Sequence, residues 1–249
     1  MSKRLMKTLN LKRPKWENVS KAYNEINEIG NIAYRQYFNY FKSQGYNNDE
    51  ADIRATFYST RARYNFVGGQ AKSEFERAPK VYANTCALRV SYALNYGGMP
   101  LIEGRAKLTS GTKLIGKDNY KYYTGVSGIK GLLLENWKQL KPYSQTNNRD
   151  FYKIFYDYKK EPFKTLADKY GNIFNQKRVN EIRKDNQNFF NVLCSLKIKG
   201  IVTMVIDGWG DAGGHTTLWN GEEFADGTNY LNDEEASIFV RELCFWELL

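Results

Sequence analysis

The dipeptide Asn220-Gly221 limits the fold more than any other stretch of the chain. It lies between two segments of strand character, 214–219 and 222–227. Asn-Gly is the preferred centre of a two-residue type I′ hairpin, because both positions need a positive φ. An antiparallel pair is therefore expected here. A two-residue turn sets Trp219 opposite Glu222, Thr217 opposite Phe224 and His215 opposite Asp226, with facing Cβ atoms roughly 4.5–5.5 Å apart. Upstream, residues 201–206 form an apolar run of buried-strand length, and a glycine-rich loop leads from it to the histidine. The expectation is a small antiparallel sheet containing residues 201–206, 214–219 and 222–227.

His215 is the only histidine, and the cysteines number three, Cys86, Cys194 and Cys244. One histidine without a Cys-x-x-Cys pair argues against a zinc site, which usually needs more nitrogen or sulfur ligands. Three widely spaced cysteines do not read as a disulfide framework. A phosphate-cradling Gly-x-x-x-x-Gly-Lys-Ser/Thr loop and a Gly-x-Ser-x-Gly elbow are both missing from the sequence. Cysteine–histidine chemistry remains, and any cysteine nucleophile has only His215 as its histidine base.

Cys86 has the most suggestive setting. Asn84 or Thr85 can cap a helix that starts at Cys86, while Gly97-Gly98 and then Pro100 stop it. Cys86, Val90, Ala93, Leu94 and Tyr96 share one helical face. Unpaired N–H groups and the helix dipole at such a start favour a thiolate and can hold a developing oxyanion. The plain alternative is a cysteine that opens the buried face of an ordinary helix. Cys194 falls in an apolar helical stretch, and Cys244 falls in a run of strand character. Asp226 facing His215 can orient the imidazole as the third member of a triad, or the two can be an exposed pair of little energetic worth. Asp207 and Asp211, on the loop leading to the histidine, are the rival carboxylates.

The 249 residues carry a net charge of +10, with 42% hydrophobic and 26% charged residues. That balance suits a folded chain able to bury a core without staples. No stretch approaches the ~18 apolar residues of a membrane span. The first 21 residues are basic and polar, lacking the apolar centre of a secretory signal. The surplus charge suits a polyanion, whether nucleic acid, an anionic wall polymer or a membrane surface, and equally an ordinary basic surface. No nucleic-acid-binding motif accompanies it.

The run Asn84-Thr85-Cys86-Ala87-Leu88-Arg89-Val90-Ser91-Tyr92-Ala93-Leu94-Asn95, followed far downstream by Gly214-His215-Thr216-Thr217-Leu218-Trp219-Asn220-Gly221, resembles the type VI secretion amidase effectors, family four. Arg13-Pro14, the segments 64–69, 120–137 and 199–206, and the closing Phe245-Trp246-Glu247-Leu248 extend the likeness over most of the chain. The resemblance implies an α+β, papain-like fold of NlpC/P60 type, with the catalytic cysteine at a helix N-terminus packed on a small antiparallel sheet. It implies hydrolysis of the D-glutamyl–meso-diaminopimelyl amide bond in peptidoglycan stem peptides, a DL-endopeptidase activity with no cofactor. On this pattern Cys86 is the nucleophile, His215 the base and Asp226 the acidic third member, eleven residues past the histidine. The expected partners are peptidoglycan, a cognate immunity protein and the type VI secretion machinery, with neither nucleic acid nor a membrane span involved. The protein would be made in the cytoplasm and act in the periplasm of a target cell.

Two departures stand out. Some members carry a cysteine pair around the acidic residue, and residues 224–230 contain none. The chain is also longer than most members, so residues 1–249 read as one amidase domain with insertions at about 24–63 and 141–196. Helically spaced stripes such as Phe151, Ile154, Phe155 and Tyr158, and Phe163, Leu166, Tyr170 and Phe174, read first as core packing. Two other functions compete with the toxin: a housekeeping or phage-type wall hydrolase, and an inactive binding module for an acidic polymer.

Overall fold

The computed structural model describes residues 13–137, 176–207, 213–232 and 239–249. The stripes between Phe151 and Phe174, and Asp211, lie outside the described residues. Helix α1 (Trp16–Ser43) turns back through four residues into α2 (Asn48–Val67). Asn47 caps α2 reciprocally: its side chain accepts from the Glu50 N–H while the Glu50 carboxylate accepts from the Asn47 N–H. Near the far end of the hairpin the Tyr37 and Tyr58 rings stack with centroids 3.7 Å apart. A short α3 (Gly69–Arg77) follows, then α4 (Cys86–Gly97), a two-stranded ribbon of β1 (Lys113–Ile115) and β2 (Lys121–Tyr123), α5 (Val126–Trp137) and α6 (Gln176–Leu196).

The main sheet is antiparallel and ordered β4-β3-β5, with β3 (Gly200–Asp207) between β4 (Gly214–Trp219) and β5 (Phe239–Glu247). The fold class is α+β. The third strand is not the one expected. Residues 222–227 form no strand; the place beside β3 goes to the C-terminal segment that carries Cys244, whose strand reading holds.

The turn after β4 explains the difference. Trp219 pairs with Phe224 in an isolated bridge, and Leu218 O accepts from Ala225 N. Four residues, not two, thus make the connection. The Asn220 carboxamide Oδ1 accepts from both Glu222 N and Glu223 N at 2.8 Å, so the side chain builds the turn that the dipeptide alone was expected to make. Gly221 still sits at φ +103, as the Asn-Gly signal requires.

Helix α4 is buried on almost every side rather than along one stripe. Cys86, Val90 and Leu94 join a cluster with Ile201, Leu218, Trp246 and Leu132. Leu88 and Tyr92, on the opposite side, join Ile26, Tyr64 and Phe75 from α1–α3. Tyr96, expected on the buried face, is half exposed. Two cores therefore meet at α4, and a third, including Val202, Met204, Trp219 and Phe245, packs beneath the Leu193 of α6. The helix ends where Gly98 adopts φ +117. One residue earlier, α4 crosses α1 so closely that a Cβ on Gly97 would lie 2.8 Å from Val19 Cα. The last residue is tied to the start of α1: Trp16 N donates to Leu249 O at 2.7 Å, and Leu249 N to Pro14 O at 3.0 Å.

Candidate active site

Cys86 is the first residue of α4, as the capping signal predicts, but the cap is unusual. Thr85 occupies the N-cap position without a side-chain bond, and Asn84 Oδ1 instead accepts from Cys86 N at 2.9 Å. The cysteine lies at the floor of a cleft of about 430 Å³, also lined by Asn84, Ser127, Lys130, Thr203 and Val205.

His215, second residue of β4, reaches the same place. Its Nε2 lies 2.8 Å from Asp226 Oδ2. Thr228 Oγ1 lies 3.4 Å from the same nitrogen, and the Cys86 thiol is the neighbour that, after Asp226, most favours the charged ring. The Tyr230 ring meets the imidazole in a T-shaped arrangement, with centroids 5.2 Å apart. Burial is the largest single influence on this ring and opposes its charged form. The hydrogen bonds and negative charge of Asp226 and Cys86 outweigh it and raise the imidazole from 6.5 to about 9.

Asp226 reaches His215 without a strand beneath it, two residues beyond the Trp219–Phe224 bridge. It is held from three directions. Oδ2 accepts from Arg89 Nη2 at 3.1 Å as well as meeting the imidazole, while Oδ1 accepts from the Thr228 hydroxyl at 2.7 Å. Burial would raise this carboxyl, but His215, Arg89 and Thr228 together hold it well below the usual carboxylate range.

Arg89 and Thr228 take roles that the sequence alone does not assign. Arg89 stands one turn beyond Cys86 on a helix with almost no exposed face, so its guanidinium has to find partners inside. Nη1 donates to Asn27 Oδ1 at 3.0 Å, and the group lies 5.5 Å from the centre of the Tyr23 ring. The Tyr23 hydroxyl in turn meets Thr217 Oγ1 at 2.9 Å. A charged residue in the middle of a buried helix was the available signal for Arg89; for Thr228 there was none short of the folded turn. Among the described residues, no group of three or more His, Cys, Asp and Glu is arranged to hold a metal ion, and no helix is long and apolar enough to cross a membrane.

The structure thus brings Cys86, His215 and Asp226 into one cluster. Cys194, on α6, and Cys244, on β5, are not part of it: the Cys194 thiol points at Glu222 O, 4.0 Å away, and the Cys244 thiol at Glu242 Oε1, 3.5 Å away. The arrangement is chemically that of a nucleophile, a base and an orienting carboxylate.

No protein-family model and no curated protein matches the chain. Solved structures do. The effector Tae4 from Salmonella typhimurium, crystallised in complex with the immunity protein Tai4 from Enterobacter cloacae, superposes with a TM-score of 0.53 and 20% identity, over 95% of this chain and 100% of that one. The type VI effector of the Tae4–Tai4 complex from Enterobacter cloacae gives 0.52 and 18%, over 95% and 99%. These effectors carry the name of the family that the helix and hairpin motifs resemble, and the chain has the fold of the type VI effectors Tae4.

Proposed function

We propose that this protein is an antibacterial peptidoglycan amidase of the type VI effector kind, which hydrolyses the D-glutamyl–meso-diaminopimelyl amide bond by cysteine catalysis. The observation that carries the reading is the Cys86–His215–Asp226 cluster, whose cysteine lines an open cleft. The Cys86 thiol passes its proton to His215, and the sulfur attacks the amide carbonyl carbon. The C–N bond then breaks, His215 protonates the departing amine, and a thioester remains on Cys86. Water, activated by the now neutral imidazole, cleaves the C–S bond and releases the D-glutamyl carboxylate with the thiol restored. Asp226 keeps the imidazole oriented and stabilises its cation throughout.

The expected oxyanion donors are the free N–H groups at the start of α4, and one of them is already taken. The N–H of Cys86 is engaged by Asn84 Oδ1. With that oxygen occupied, the Asn84 carboxamide has Nδ2 as its donor, and the side chain lines the cleft beside the nucleophile. In our reading Asn84 Nδ2 receives the oxyanion, helped by the first-turn N–H groups beyond Cys86.

A toxin of this kind acts in the periplasm of a target cell, after export from the producer, and the producer needs an immunity protein. The immunity complexes of the structural neighbours support this partner. We read the chain as a single amidase domain. The region 24–63, which the sequence marks as an addition to the family pattern, supplies Asn27 to the Arg89 guanidinium.

Digestion of purified peptidoglycan, with the fragments identified by mass spectrometry, tests the reading. Free D-glutamyl termini paired with free diaminopimelyl amines are expected, and no release by Cys86→Ala. Cleavage elsewhere in the stem, or at glycan bonds, would overturn it. In cells, toxicity is expected only when the protein is directed to the periplasm; equal toxicity from the cytoplasm would point to another target.

A further inference from the structure

The catalytic cleft holds a polar corner that the triad does not use. Thr203 and Val205 come out on the cleft side of β3, while Met204 and Ile206 between and beyond them pack beneath α6. Thr203 is 2% exposed, and its hydroxyl oxygen has no hydrogen-bond partner. A buried hydroxyl without a partner costs on the order of 1–3 kcal/mol, and a ligand oxygen arriving at this wall would relieve that cost. Facing the same space is the start of α5, where Val126 and Ser127 line the cleft and the first-turn N–H groups supply positive potential. One turn further along, Lys130 lines it too, with its side chain about a quarter exposed.

Lys130 is the one charged side chain among the described residues of this wall. Its ammonium is steadied by the largely buried carboxylate of Glu242, which lies on β5 opposite Val205. That pairing holds the ammonium at the cleft wall without using all three of its donors. A hydroxyl donor, an ammonium and a helix start around one space share a single preference, for an anionic oxygen pair.

We infer that Thr203, Lys130 and the first turn of α5 form a substrate subsite that takes a carboxylate adjoining the scissile amide. The inference rests on the proposed function and deepens it. Two carboxylates adjoin that bond, the α-carboxylate of the D-glutamyl residue and a carboxylate of diaminopimelate, and the chemistry of the subsite serves either.

The test uses purified full-length protein and three synthetic stem peptides: one with free carboxyls, one amidated at the D-glutamyl α-carboxyl, one amidated on diaminopimelate. The wild type is expected to lose on the order of tenfold or more in kcat/KM, mostly through KM, on whichever amidated peptide removes the recognised charge. Thr203→Val and Lys130→Met should lose a similar factor on the free peptide and little more on that amidated one, and Lys130→Arg should restore part of it. Because Lys130→Met strands Glu242, the double variant Lys130→Met/Glu242→Gln repeats the measurement with the pair neutralised. Equal rates on all three peptides, or undiminished discrimination in the variants, would overturn the subsite while leaving the amidase intact. No cleavage of any stem peptide by the wild type would instead remove the functional reading, and the subsite with it.

Discussion

Arg89 and Asp226 stand 137 positions apart in sequence and meet inside the protein, with Nη2 3.1 Å from Oδ2 and side-chain exposures of 12% and 5%. The carboxylate that orients the histidine is therefore also the counter-ion of a buried guanidinium. Removing one member of such a pair strands the other, at a cost of about 3–5 kcal/mol. From sequence alone Asp226→Asn is expected to spare the fold. The ion pair changes that expectation: Asp226→Asn should lose turnover on the order of 10²-fold or more and also lower the unfolding midpoint. Arg89→Met should lower the midpoint similarly. Muropeptide kinetics beside urea titrations check both, and an Asp226→Asn enzyme of normal stability would deny the pair its role.

Cys86→Ala should be folded and inactive, with activity down by at least about 10³-fold. Cys194→Ala, at the half-buried α6 site, should retain full rate. Cys244→Ala leaves a small void in a packed cluster, so it should lose some stability, on the order of 1 kcal/mol, and keep its turnover. Alkylation of the parent with the same peptide assay locates the reactive thiol independently.

A single histidine makes the pH behaviour unusually direct to read, since one imidazole accounts for the whole histidine signal in an NMR titration. Its midpoint should lie at about 9 and move down in both Asp226→Asn and Cys86→Ala, which each remove one hydrogen-bonding partner while burial persists. Because folding raises this group, its contribution to stability is complete below 6.5 and is lost as pH rises through about 9. Asp226 has the opposite sign: its contribution is present above 3.8 and is lost as pH falls toward its depressed folded value. Urea midpoints should therefore be highest between these limits and fall on the alkaline side, with the alkaline fall flattened in Asp226→Asn. A midpoint that climbs from 6.5 to 9 would contradict the assignment.

Asn84 carries two duties, an acceptor for Cys86 N and a donor toward the cleft. Asn84→Asp keeps the acceptor and loses the donor, while Asn84→Ala loses both. Both variants should fall by on the order of 10²-fold in kcat, with KM less affected. A normal kcat in Asn84→Asp would move the oxyanion site to the backbone of α4.

At the crossing of α1 and α4, Gly97→Ala places a Cβ 2.6 Å from Val19 Cγ2 and 2.8 Å from Val19 Cα. Since part of that clash is with backbone, the helices have to separate, at roughly 1–3 kcal/mol. Thermal unfolding measures it. An unchanged melting temperature would mean that the crossing yields without cost.

Local chemistry made much of this molecule legible in sequence. The start of α4 at Cys86 and its end at Gly98 follow from capping residues, and β3 follows from an unbroken apolar run. A two-residue turn would pair His215 with Asp226 across a hairpin, whereas the two meet by another route. Asn220 widens the turn with its own side chain, and Asp226 then arrives from a loop rather than a strand. Sequence spacing cannot distinguish the two, because the same dipeptide serves both turns. The strand character of β5 is legible around Cys244, but its place beside β3 is not, because strand order is set by distant pairing and not by neighbouring residues. The role of Arg89 is not legible in sequence, since its partners Asn27 and Asp226 lie far off in the chain.

The tie between Trp16 N and Leu249 O, with its return bond to Pro14 O, has a kinetic consequence. The site draws Tyr23, Cys86, Arg89, His215 and Asp226 from nearly the full length of the chain, and β3 gains its second neighbour only when residues 239–247 dock. Such long-range closure makes for a high contact order and slow folding. Partly folded forms lack the assembled cleft, so hydrolytic competence should appear in the last phase of refolding, together with the signal of Trp246 burial and not before it.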